Sequence, residues 1–181
     1  MAYIKVDEGI PGIRSLALFR PETGKHLYAL VQVLLRGDSP LTEAERELIA
    51  AYVSSLNECM FCKYSHAATA EFLFKDQKKI VNIVFHDFRK APISDKMKSL
   101  LHIAGKVQRS GKQVTSGDIA EARKYGAVDR DIHDTVLIAA TFCMLNRYVD
   151  GLDSLTPTDP VEYEAMGKRL GENGYVMPKT S

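Results

Sequence analysis

Residues 58–66 read ECMFCKYSH, a stretch that places two thiols and one imidazole close together along the chain. In a helix, which turns by about 100° per residue, Cys62 lies roughly 60° and His66 roughly 20° from Cys59, so all three share one face. A nearby imidazole can take a thiol proton and leave the thiolate, the reactive form of cysteine. The spacing therefore predicts a thiol redox centre near the start of a helix.

Two other uses of the same residues stay open. Free cysteines are often buried as small hydrophobic side chains. A zinc ion would need Cys59, Cys62, His66 and a fourth ligand, but three ligands on one short helix crowd a tetrahedral site. No second Cys/His pair occurs elsewhere in the chain. We therefore favour the redox interpretation and expect no metal and no organic cofactor.

Composition and length describe an ordinary folded protein. Its 181 residues suit one domain over 1–181, with a core at about 20–155 and a C-terminal helix and tail over 158–181. A net charge of +1 gives no general attraction to nucleic acid or membranes. Residues 1–13 lack a signal-peptide core, and the apolar run 136–145 is too short to span a bilayer. We expect a cytoplasmic protein with neither nucleic acid nor membrane as partner.

Helical periodicity runs through almost the whole chain, and no convincing alternating strand is present, so the sequence predicts an all-α fold. Thr42 followed by Glu45 forms a capping box that starts one of the helices. The predicted helices cover residues 24–37, 43–57, 60–74, 77–88, 95–109, 117–125, 129–152 and 160–171.

The chain contains a short internal repeat. A shift of 84 residues lays 59–66 over 143–150, with matches at a Cys, a Met, a Lys or Arg, and a Tyr. We interpret the repeat as two related helical hairpins, the second of them structural because Asn146 and Asp150 replace the second Cys and the His. Arg147 and Asp150 lie three apart and are expected to pair, with Asn146 binding backbone.

Glu47 is a further candidate for the redox site. It lies twelve residues before Cys59, and a carboxylate there can orient His66 or accept a proton through water. Glu47 belongs to a different helix from the thiols, so only the crossing of the two helices can bring it close. The alternative is a solvated glutamate on the surface.

The order of Glu47, Cys59, Cys62 and His66, with these spacings, resembles the signature of the AhpD-like alkylhydroperoxidases in the carboxymuconolactone decarboxylase superfamily. The resemblance implies that the protein reduces a small-molecule hydroperoxide and is recycled by an external dithiol or a protein reductant. It implies Cys62 as the peroxidatic cysteine, Cys59 as the resolving cysteine, and His66 with Glu47 as a proton relay. Phe61 stands where those members carry a histidine that contributes to the relay.

Downstream, residues 115–152 are similar to the second half of the peroxidase-related branch, which usually has Asn-Arg near the end of its long helix, here Asn146-Arg147. The resemblance covers roughly residues 20–155. It implies an all-α AhpD-like fold that assembles into homo-oligomers, commonly trimers or hexamers.

The choice between the two thiols depends on opposing effects. Cys59 is nearer the helix N-terminus, whose dipole favours a thiolate. His66 lies four residues after Cys62, a natural contact along a helix, and for that reason we choose Cys62. Two alternative functions remain: a decarboxylase-like or other non-redox enzyme of the same superfamily, and a non-catalytic, redox-sensing or oligomeric protein.

Overall fold

The computed structural model describes residues 2–75 and 79–178. Within these ranges the regular structure is helical and contains no strand, which confirms the predicted all-α fold. The first two residues of the helix predicted over 77–88 and the last three of the tail lie outside the described residues. The α-helices are α1 Ile13–Phe19, α2 Pro21–Arg36, α3 Glu43–Leu56, α4 Met60–Phe74, α5 Lys79–Asp87, α6 Asp95–Arg109, α7 Ser116–Lys124, α8 Asp129–Gly151 and α9 Pro160–Asn173.

Local capping chemistry explains where several helices begin. Thr42 accepts a hydrogen bond from the Glu45 amide while the Glu45 carboxylate accepts one from the Thr42 amide, as the sequence predicts for α3. Thr115 and Asp118 form a second capping box at the start of α7, while Ser94 caps α6 by accepting a hydrogen bond from the Met97 amide. Helix α1 was not predicted, because its seven residues carry less than two turns of periodicity and no side chain caps it.

Helix α3 lies at the centre of the fold and contacts α2, α4, α5, α6 and α8. Such a helix has no solvent face, so it is buried on nearly all sides rather than along one stripe. Leu48, Ile49 and Val53 supply apolar packing, while Arg46 and Glu47 are buried on the same helix. The central position of α3 therefore places two charged side chains, those of Arg46 and Glu47, inside the molecule.

Helix α9 packs closely on α4. Only glycine fits at position 167, because a Cβ there would lie 2.6 Å from the backbone of Ala68. After α9 the chain turns at Gly174, which has φ +66°, a conformation that favours glycine. The Tyr175 amide then donates a 2.7 Å hydrogen bond to Oε1 of Gln32 on α2. This turn brings the C-terminal segment back over α2.

The two copies of the internal repeat differ in shape. The first copy, residues 59–66, begins directly after the break between α3 and α4 at Asn57 and Glu58, where Glu58 has φ +59°. The second copy, residues 143–150, lies wholly within the continuous helix α8. The break before Cys59 thus gives the first copy a helix N-terminus that the second copy lacks.

The predicted role of Asn146 is wrong. Its side chain is fully buried and binds other side chains rather than backbone: Oδ1 accepts from Asn57 Nδ2 at 2.8 Å, and Nδ2 donates to Ser54 Oγ at 3.1 Å. The reason is the break between α3 and α4, which leaves polar side chains facing α8. Asn146 forms hydrogen bonds with these side chains, and buried polar groups need such partners.

The predicted pairing of Arg147 with Asp150 is also wrong. Arg147 instead donates a 2.7 Å hydrogen bond from Nη1 to the carbonyl of Cys143, one turn earlier on α8. Asp150 interacts with the thiol of Cys59. The C-terminal end of α8 therefore contacts the cysteine motif through Asp150. A pairing of Arg147 with Asp150 within α8 would not make this contact.

Self-association stays a prediction, and α8 supplies the surface for it. Ile138 and Phe142 are buried, whereas Leu137 and Met144 on the opposite side are exposed apolar residues. We expect light scattering at micromolar concentration to give an oligomeric mass and Met144→Lys to shift it toward the monomer, since an apolar interface disfavours a buried lysine. The matched control is Val161→Lys, at another exposed apolar position; a monomeric wild-type mass would contradict the prediction.

In the described part of the chain, no helix is both long enough and apolar enough to cross a membrane.

Candidate active site

The four residues predicted to form the redox site come from two adjoining helices and are all buried. Glu47 is on α3 and fully inaccessible, which excludes the solvated-surface alternative. Cys59 is the N-cap of α4 and is fixed by a 3.1 Å hydrogen bond from its amide to the Ser54 carbonyl. Cys62 and His66 follow on the first two turns of α4 and are only 4% and 7% exposed.

The crossing of α3 and α4 brings Glu47 against His66. Oε2 of Glu47 lies 2.6 Å from Nδ1 of His66. Because an ionised carboxylate only accepts hydrogen bonds, Nδ1 carries the proton of this contact. The Phe142 ring packs edge-on against the imidazole at a centroid distance of 4.5 Å and restricts its orientation. This geometry leaves Nε2 of His66 as the ring nitrogen available for proton transfer.

The other oxygen of Glu47 is held by two residues that the sequence analysis missed. Arg36 Nη2 lies 2.6 Å from Oε1, and the Tyr175 hydroxyl donates to the same atom at 2.7 Å. Burial alone would raise the pKa of Glu47, but His66, Arg36 and Tyr175 together outweigh burial and hold that pKa below its usual 4.5. Glu47 is therefore a buried, charged acceptor with partners on both of its carboxylate oxygens.

Tyr175 bridges the two partners of this contact. Its hydroxyl is 2.7 Å from Glu47 and 3.2 Å from Nδ1 of His66, and its ring is stacked on the imidazole at 6.0 Å. Burial, followed by the negative charge of Glu47, raises the pKa of Tyr175 well above its usual value. The phenol thus stays protonated and acts as a donor. It lies 128 positions from Glu47, so no local pattern in the sequence points to it.

The two thiols of the motif differ in their surroundings. Both are free, and Cys59 is fully buried. A hydrogen bond to Cys62, burial, the charge of Cys62 and a hydrogen bond to Asp150 all raise the pKa of Cys59. A proton held on Cys59 and directed at the Cys62 sulfur stabilises negative charge on Cys62. The arrangement therefore favours Cys62 as the thiolate.

A small, mainly apolar cavity of about 60 Å³ lies beside the imidazole, and Cys62, His66 and Tyr175 all line it. Because one water needs about 10–15 Å³ of such volume, the cavity has room for a few water-sized groups. Cys59 is not among its lining residues. A small reactive group that enters from solvent thus meets the sulfur of Cys62 first.

Phe61 makes one wall of this cavity apolar. Its ring packs so tightly on Gly12 that a Cβ at Gly12 would lie 2.1 Å from it, and Gly12 has φ +56°. The position before Cys62 therefore contributes packing rather than a titratable group. Besides His66, the polar groups around the imidazole come from α2, α3 and the C-terminal segment.

Within residues 2–75 and 79–178, no group of three or more His, Cys, Asp or Glu side chains is arranged to hold a metal ion.

Comparison with known proteins gives relatives only among solved structures; no family model and no curated protein matches the chain. An uncharacterized peroxidase-related protein from Silicibacter sp. TM1040 is 28% identical, with a TM-score of 0.78 over 87% of this chain and 81% of that chain. The AhpD core of an alkylhydroperoxidase, an uncharacterized peroxidase-related protein from Ralstonia eutropha JMP134, is 26% identical, with a TM-score of 0.78 over 88% and 82% of the two chains.

Proposed function

The chain belongs to the AhpD-like, peroxidase-related proteins, and on that premise we propose that it reduces hydroperoxides with the dithiol of Cys59 and Cys62. The observation that carries the proposal is the 2.6 Å contact between Glu47 and His66 beside a cavity lined by Cys62. Two free cysteines at this spacing can give up two electrons to the hydroperoxide by forming a disulfide, and a buried imidazole with a fixed carboxylate can move the protons.

In the first step His66 takes the proton of Cys62, and the thiolate attacks the terminal oxygen of the hydroperoxide. A sulfur–oxygen bond forms while the oxygen–oxygen bond breaks. The departing alkoxide receives the proton from His66 and leaves as the alcohol, so Cys62 becomes a sulfenic acid. Glu47 remains ionised throughout and stabilises the imidazolium that forms between the two proton transfers.

In the second step the Cys59 sulfur attacks the sulfur of the Cys62 sulfenic acid. The disulfide forms as the sulfur–oxygen bond breaks, and the hydroxide leaves as water with the proton of Cys59. Asp150, which hydrogen-bonds the Cys59 thiol, can accept that proton in transit. An external dithiol or a protein reductant then restores both thiols by thiol–disulfide exchange. A reducing compartment such as the cytoplasm would supply this reductant.

Thiol counting tests the proposal. We expect one equivalent of hydroperoxide, added to the reduced protein without reductant, to remove two of the three thiols, because Cys59 and Cys62 couple and Cys143 does not take part. Dithiothreitol should restore both. Cys143→Ser is the control and should start from two thiols and lose both. Loss of Cys143 alone, or no loss, would remove the redox function and leave a non-redox or non-catalytic role.

A further inference from the structure

Two arginines line the same cavity. Arg14 on α1 and Arg169 on α9 are half-buried lining residues. Over residues 2–75 and 79–178, neither guanidinium has a carboxylate partner or a hydrogen bond. Other arginines in the fold, such as Arg36, are paired. Two guanidinium groups that face one small space, with no carboxylate from the described part of the chain beside them, form a site of positive charge.

The two charges act on each other. Burial and then the nearby charge of Arg14 lower the pKa of Arg169, which means that the pair is held together against repulsion. Tyr28 of α2 lies with them, and burial raises its pKa to about 12, so that its hydroxyl stays a donor. A guanidinium pair with a phenol donor suits an anion with several oxygen acceptors, such as a carboxylate.

The rest of the cavity is apolar and leads inward. Cys62 and His66 are nearly inaccessible, whereas the two arginines are half-exposed, so the arginines lie on the solvent side of the lining. With about 60 Å³ of space, the cavity takes the reactive end of a molecule and leaves its head near the arginines. The apolar lining side chains include Leu27, Val31, Leu145, Met166 and Leu170.

We propose that the substrate is an amphipathic hydroperoxide with an anionic head, which Arg14 and Arg169 bind while the part that carries the peroxide enters the cavity toward Cys62. This inference rests on the proposed function for its reactive group, but the anion site itself does not. A carboxylate is the head that two guanidinium groups and a phenol fit best. A phosphate monoester presents the same acceptor chemistry, so the experiment has an arm for each.

The first measurement is equilibrium binding by calorimetry, which needs no turnover. Decanoate is expected to bind, and R14Q and R169Q are each expected to weaken its binding by about tenfold or more, since each removes a charge-assisted contact. R169K keeps the charge and should retain most of the binding. R20Q, at an exposed arginine just after α1, should have no effect. Methyl decanoate, which has no charge, should bind equally to all variants.

Decyl phosphate is the second arm. If it binds and decanoate does not, the head is a phosphate and the carboxylate assignment is wrong. If neither binds, or if R169Q and R14Q bind decanoate as well as R20Q does, the anion site is overturned.

The second measurement is turnover of linoleic acid hydroperoxide and of its methyl ester, which carry the same peroxide. R169Q is expected to raise KM for the acid by about tenfold or more and to leave KM for the ester unchanged. Equal KM changes for acid and ester would overturn the anion site while leaving the peroxidase function intact. Decanoate binding that depends on Arg169, with neither hydroperoxide consumed, would support the anion site and overturn the proposed function instead.

Discussion

Cys62→Ser is expected to abolish hydroperoxide turnover, while Cys59→Ser is expected to retain one turnover per chain and then stop. Cys62 lines the cavity and is the sulfur on which the site stabilises negative charge, so its removal deletes the nucleophile. Loss of a nucleophile of this kind lowers the rate by about a thousandfold or more. In Cys59→Ser the sulfenic acid on Cys62 forms but has no resolving thiol.

Mass spectrometry after dimedone treatment checks the prediction, because dimedone labels sulfenic acids. Cys59→Ser should gain one label per chain on Cys62, and both the wild type and Cys62→Ser should gain almost none. Cys143→Ser, which keeps both cysteines of the motif, is the control and should turn over like the wild type. A label on Cys59 in the Cys62→Ser variant would reverse the two roles.

Glu47→Gln is expected to lower both stability and turnover. Without the carboxylate the nearly inaccessible Arg36 guanidinium, 2.6 Å from Oε1, loses its nearer counter-ion and keeps only the half-exposed Glu43, at 3.6 Å. Breaking a buried ion pair by removing one partner lowers the free energy of unfolding by roughly 3–5 kcal/mol, and Glu43 places the expected loss at about the lower end of that range. His66 loses its anionic acceptor at the same time, so turnover should fall by about a hundredfold or more. Tyr175→Phe, which removes one hydroxyl from the same oxygen, should cost only about 1 kcal/mol.

The pH dependence of stability separates the charge of Glu47 from its packing. The pKa of Glu47 is lower in the folded protein than the usual 4.5, so its ionised form stabilises the fold. That contribution is fully present above about pH 4.5 and is lost as the pH falls through the folded-state pKa. Urea unfolding of the wild type and of Glu47→Gln should therefore differ most at neutral pH and converge below pH 4.5. Curves that stay parallel down to pH 3 would assign the effect to packing alone.

Local sequence features account for part of this site. The spacing of Cys59, Cys62 and His66 alone places them at the start of one helix, because helical geometry relates neighbours in sequence. Capping by Thr42 likewise depends only on Glu45, three residues on. Features of this kind are predictable because residues that are close in sequence are also close in space within one helix.

The remaining parts of the site depend on how distant segments meet. Tyr175 and Arg36 reach Glu47 from 128 and 11 positions away, through the return of the C-terminal segment and the packing of α2. The Arg147 prediction failed for a related reason: spacing along a helix permits several partners, and the carbonyl of Cys143 was the one available. No periodicity or motif encodes which helices cross, so these contacts needed the tertiary structure.

The unequal access to the two sulfurs has a kinetic consequence. Cys62 lines the cavity, whereas Cys59 is fully buried, so a thiol that opens a disulfide between them has to attack Cys62. In the proposed reaction the hydroperoxide and the reductant therefore use the same entrance and the same atom, and the alcohol leaves before the reductant binds. We expect such a cycle to be a double displacement, in which double-reciprocal plots at several reductant concentrations run parallel and each substrate in excess obstructs the other.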